Sequence, residues 1–180
     1  FEAPWGKNLL LYGDKRVFRL SLHLAVQAMA RGATIAVVDG GNQFEVHTVA
    51  RLARERRINP EVFLNRIFIS RGFTCYQMEQ AITNRLPGFL KRIDSNIGMI
   101  FGLLDTFYDE QAPTREVRGI LKRVMKALEK MKREELSVLL ACTEYKVLPR
   151  ERRNLFKALK EGIDKVYHLT ADPGGSPRSV

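Results

Sequence analysis

The sequence is short of the residues that carry the commonest chemistries. It has only two cysteines, Cys75 and Cys142, far apart and at no metal or disulfide spacing, so both read as small apolar packers in a reducing compartment. Its three histidines, His23, His47 and His168, have no Cys or His neighbour at zinc-ligand spacing, which argues against a zinc site. No apolar run approaches the ~20 residues that a bilayer crossing needs, so no membrane partner is expected and the compartment reads as cytoplasmic or nucleoid-associated. The chain opens at Phe1, without Met and without a signal pattern, and reads as a fragment of a longer protein. Acidic charge is the scarcer sign. Thirty Lys and Arg face 20 Asp and Glu, a formal net charge of +10 that favours a polyanionic partner.

What the sequence does have is alternation. Its 180 residues, 45% hydrophobic, suit a single domain over 1–180, with 1–7 as a lead-in and 170–180 as a loose tail. Apolar runs at 9–12, 34–38, 66–70, 97–104, 137–143 and 165–169 predict strands. Helical periodicity predicts helices over 20–30, 46–57, 60–64, 76–90, 115–134 and 154–161, with the 76–90 segment broken at Pro87-Gly88. Strands alternating with helices give an α/β fold with a mainly parallel sheet covered on both faces.

The stretch 8–39 organises the rest. A strand stops at Gly13, a helix follows, Gly32 ends it, and a second strand runs to Asp39, which is the grammar of a right-handed βαβ unit. The loop after such a first strand is where free helix-start amides would meet a phosphate. A phosphate-binding G-x-x-x-x-G-K-[ST] motif counted from Gly13 places its second glycine on Phe18, its lysine on Arg19 and its hydroxyl residue on Leu20, with Ser21 one place late. The motif is therefore degenerate, or the segment is the βα turn of some other α/β protein. Any nucleotide contacts fall to Gly13, Asp14, Arg16, Arg19, Leu20 and Ser21, together with Asp105 at the end of the fourth apolar run. Asp39 and Glu45 are expected to pair with Arg16 or Arg19 if no phosphate sits there.

The segment 37–82 carries a resemblance. It reads Asp39, Phe44, Asn59-Pro60-Glu61, Leu64-Asn65-Arg66-Ile67, Arg71-Gly72-Phe73 and Gln77-Met78 in order, and it resembles the archaeal RadA-type recombinases of the RecA superfamily. The order of elements stays similar over 7–169, through a Walker B-like strand ending at Asp105-Thr106 and a strand ending at Thr143. The resemblance implies a three-layer RecA-like P-loop NTPase fold. It also implies losses. The family's water-polarising glutamate falls on Gly41, its P-loop Gly-Lys-Thr on Phe18-Arg19-Leu20, and its Thr-Asn-Gln sensor on Cys142-Thr143-Glu144. Only Asp105 carries over.

Phosphoryl transfer depends on these groups acting together. The implied function is therefore a catalytically degenerate core, a DNA-binding or recombination and repair accessory that needs no cofactor and binds ATP and Mg²⁺ weakly at most. Two alternatives stand beside it: an active DNA-dependent ATPase clamping phosphate with Arg19, and a structural module pairing with a recombinase or with itself through Phe18 and Leu20. In the family the loop after the later strand faces DNA. Here it offers Lys146, Arg150, Arg152 and Arg153 for phosphates and Tyr145 for base stacking, with Arg51, Arg54, Arg56 and Arg57 as a second basic surface.

Overall fold

The computed structural model describes residues 6–109, 111–145 and 148–170. In chain order these form β1 (Asn8–Gly13), α1 (Arg16–Ala30), β2 (Ile35–Gly40), α2 (Val46–Glu55), α3 (Pro60–Leu64) and β3 (Ile67–Gly72). There follow α4 (Cys75–Gln80), a π-helical stretch (Ala81–Arg85), α5 (Leu86–Arg92) and β4 (Ile97–Phe101), then α6 (Thr114–Arg133), β5 (Ser137–Thr143), α7 (Arg153–Glu161) and β6 (Lys165–Leu169). Among the described residues no helix is long and apolar enough to cross a membrane.

The six strands form one parallel sheet in the order β3-β2-β4-β5-β1-β6. The chain first walks outward from β1 through β2 to β3, and right-handed crossovers then put α1, α2 and α3 on one face. Leu9, Leu11, Val37, Met99 and Leu139 meet those helices there. The chain returns through β4 and β5 to β6, so α4 to α7 cover the opposite face against Leu10, Val38, Ile100, Val138 and Leu140. The alternating side chains of each central strand are therefore buried on both sides, which is why these strands read as unbroken apolar runs.

Three elements differ from the sequence expectation. Helix α1 starts at Arg16 rather than near residue 20, because Val17 and Phe18 continue its buried stripe of Ser21, Leu22, Ala25, Val26 and Met29. The 76–90 helix is not broken at Pro87-Gly88. Proline has no N–H for the carbonyl four residues back, and the chain absorbs this by widening into π geometry over Ala81–Arg85. The fourth strand ends at Phe101, and residues 102–108 turn sharply instead of continuing it.

Helix α6 buries Val117, Ile120, Leu121, Val124, Leu128 and Met131 at helical spacing. Each such side chain contributes roughly 1.5–3 kcal/mol on burial. That stripe fixes which side of α6 faces outward, and the outward side is basic.

Candidate functional site

The carboxyl ends of β1 and β5 form a natural crevice, because the chain leaves β1 toward one face and β5 toward the other. Its β1 side is the turn into α1, and that turn contains only Asp14 and Lys15. The amides that would cradle an anion are already bonded. Arg16 N–H donates to the Asp14 side chain at 2.9 Å, Val17 N–H to the Asp14 carbonyl at 3.1 Å and Phe18 N–H to the Lys15 carbonyl at 3.3 Å. The Arg16 guanidinium closes back on the Asp14 carboxylate at 2.6 Å. That cation holds the Asp14 carboxyl below its usual value.

The residues that motif counting placed in a phosphate loop lie inside α1 instead. Phe18 is buried against Phe101, with ring centroids 5.6 Å apart, so it offers no free apolar face for a partner. The Ser21 hydroxyl is buried and donates to the Val17 carbonyl at 2.8 Å, which removes it as a metal or phosphate ligand. Leu20 is exposed on the helix surface. Arg19 sits near His23, whose pKa is lowered first by burial and then by the charges of Arg19 and Arg56. Asp39 and Glu45 do not pair with Arg16 or Arg19. Asp39 accepts from the amides of Gln43 and Phe44 and meets Arg71 at 3.5 Å, while Glu45 accepts from the Thr48 hydroxyl.

Asp105 lies four residues past the end of β4, between the segments that follow β2 and β5. Its Oδ1 accepts from the Tyr145 hydroxyl at 3.0 Å and its Oδ2 from the Gln43 amide at 3.4 Å. Burial raises its pKa, and these two donors partly offset that rise. The same burial, with the Asp105 charge beside it, pushes the Tyr145 phenol up to about 12. Gly41, where the resembling family has glutamate, adopts φ +74°, and a Cβ there would stand 3.1 Å from Asp105 Oδ2. Gly102 (φ +60°) brings the β4 end against the Gly40 carbonyl so closely that any side chain would collide with it. At this end of the sheet the amides of Arg16, Val17 and Phe18 are bonded within the chain, the Ser21 hydroxyl is turned into α1, and both Asp105 oxygens accept from protein donors.

The candidate nucleic-acid loop divides. Lys146 lies outside the described residues. Tyr145 spends its hydroxyl on Asp105 and its ring edge on Tyr108, at 5.4 Å between centroids. Arg152 is only 4% exposed and cannot reach a phosphate. Its guanidinium donates to the carbonyls of Phe107, Asp109 and Ala112 at 3.2, 3.1 and 2.5 Å, pinning the loop to the segment before α6. Arg150 and Arg153 remain exposed, with Arg153 Nε donating to the Leu148 carbonyl.

The sequence carried two signals for this division. Arg152 stands three and seven residues before Leu155 and Leu159, on the buried stripe of α7 rather than its wet side. Arg115, Arg118 and Lys122 repeat at i, i+3 and i+7 on the outer side of α6, beside the same loop. Gln43, which steadies Asp105, has no local signature, because its partner comes from another strand. No family model matches the chain, and no curated protein matches it.

Proposed function

We propose that this chain is a RecA-like core that does not turn over nucleoside triphosphates and serves as a nucleic-acid-binding accessory subunit. The carrying observation is the two-residue Asp14-Lys15 turn, whose oxygens already hold the N–H groups of Arg16, Val17 and Phe18 at the start of α1. A phosphate cradle needs a longer loop with free donors. The parallel six-strand sheet agrees with the fold that the 37–82 resemblance implies, although Asp105 stands four residues past the end of β4. The exposed arginines Arg150 and Arg153 and the +10 net charge support a polyanion as partner.

The test is a nucleotide titration with and without Mg²⁺, run beside DNA binding over a salt series. No saturable ATP binding and a salt-sensitive DNA affinity are expected. Restoring motif letters with Phe18→Gly, Arg19→Lys and Leu20→Thr is expected to leave turnover absent, since those positions lie within α1. Tight Mg²⁺-dependent ATP binding with steady hydrolysis would overturn the non-catalytic half. Absence of DNA binding at low salt would overturn the other half.

A further inference from the structure

Resting on the nucleic-acid reading above, we propose that the phosphate backbone lies along the outer side of α6, held by Arg115, Arg118, Lys122 and Lys126 with Arg150 and Arg153 at its edge. The buried stripe of α6 forces these four helix residues to one exposed side. At ~1.5 Å per residue they span about 16 Å, which matches roughly five phosphates of one strand at ~3.4 Å rise.

The shape of the surface agrees. A hollow of about 510 Å³ opens between α6 and the 148–153 loop, lined by Thr114, Arg115, Arg118, Gly119, Lys122 and Glu151. Gly119 leaves its floor without a side chain. Its one carboxylate, Glu151, is engaged by the Thr114 hydroxyl at 3.2 Å, and the Glu151 carbonyl accepts from Arg118 at 3.4 Å. The loop wall is held in place by the buried Arg152, so Arg150 and Arg153 are carried on a fixed mount.

The charges on this side are also unspent. Arg123 pairs with Glu79, Lys132 with Glu129 and Asp164, and Lys157 with Glu161. Among the described residues no carboxylate lies within ion-pairing distance of Arg115, Arg118, Lys122 or Lys126. Arg115 even sits in the first turn of α6, at the positive end of the helix dipole, where an anion relieves the repulsion. No aromatic side chain lines the hollow, so contacts are to phosphate and independent of sequence.

The experiment compares wild type, Arg115→Gln/Arg118→Gln/Lys122→Gln and a control, Arg51→Gln/Arg54→Gln/Arg57→Gln, for binding labelled single- and double-stranded oligonucleotides by anisotropy over a salt series. The α6 variant is expected to lose roughly 10- to 100-fold in affinity at low salt, and its salt slope to fall by about 2–3 units, as expected for lost phosphate contacts. The control is expected to match wild type. Circular dichroism and the thermal midpoint establish that each variant folds, and Lys122→Glu alone gives a second measure at an exposed position. An unchanged slope in the α6 variant, with wild type binding, overturns this site while leaving the nucleic-acid reading standing. Wild type that binds neither oligonucleotide overturns the reading and the site together. Tighter binding to phosphatidylserine vesicles, lost in the same variant, overturns it by assigning the surface to lipid.

Discussion

The strand-end crevice and the outer side of α6 both gather charge, yet they use it in opposite ways. In the crevice three carboxylates are met from within: Asp14 by Arg16, Asp39 by two amides and Arg71, Asp105 by Tyr145 and Gln43. On the outer side of α6, Arg115, Arg118, Lys122 and Lys126 face solvent without carboxylate partners among the described residues. Arg152 and Arg153, adjacent in sequence, repeat the contrast in miniature, one buried on three carbonyls and the other exposed. A buried donor with its acceptors in place is part of the scaffold, and its removal leaves those acceptors unpaired. An exposed, unpaired cation costs the fold little and stays free for a ligand.

The sharpest way to break this contrast is Arg152→Met. It strands buried carbonyls and is expected to cost about 3 kcal/mol, against under about 0.5 kcal/mol for exposed Arg153→Met. Urea unfolding of both variants decides it, and equal losses would end the distinction. Next in size is Gly102→Ala, where a side chain at φ +60° collides with the Gly40 carbonyl. About 2 kcal/mol is expected from strain, and a neutral result would mean that the crevice can open.

Tyr145→Phe removes one hydrogen bond to Asp105 and is expected to cost about 1 kcal/mol. DNA affinity should stay unchanged in that variant if the tyrosine serves the crevice; a matching loss of affinity would return it to the binding surface. The smallest effect is one of pH. Burial raises the Asp105 pKa above 3.8, so the folded state holds its proton longer than the unfolded chain does. Its contribution therefore favours the fold below 3.8 and declines as pH rises through the window up to the folded value. Asp105→Asn should lack that decline, and thermal midpoints measured across this window for both proteins provide the check.

The two regions were not equally legible in the sequence. Strands buried on both faces announce themselves as continuous apolar runs, and β5 and β6 fall on the residues expected. The start of α1 was legible too, since Val17 and Phe18 extend its apolar period, but reading that period only from Leu20 put the helix start too late. Tyr145 and Asp105 meet across 40 residues, and no local pattern encodes that pairing. The basic stripe of α6 was visible as spacing. Its unpaired state was not, because Glu79 and Glu161 reach Arg123 and Lys157 only once the helices pack or form.

The place of β1 in the sheet has a consequence for biosynthesis. Its neighbours are β5 on one side, with Asn8 opposite Val138, and β6 on the other, with Leu9 opposite Lys165. Strands β2, β3 and β4 can pair with one another as soon as Phe101 has emerged from the ribosome. The Leu9-Leu10-Leu11 ribbon must wait for the far end of the chain, on the order of ten seconds at ordinary elongation rates. Until β5 emerges it is an apolar strand with both edges open, prone to aggregation and a natural foothold for a chaperone. Chains stalled before Ser137 should therefore bind an Hsp70-type chaperone through residues 8–13, and chains carried past Leu169 should release it.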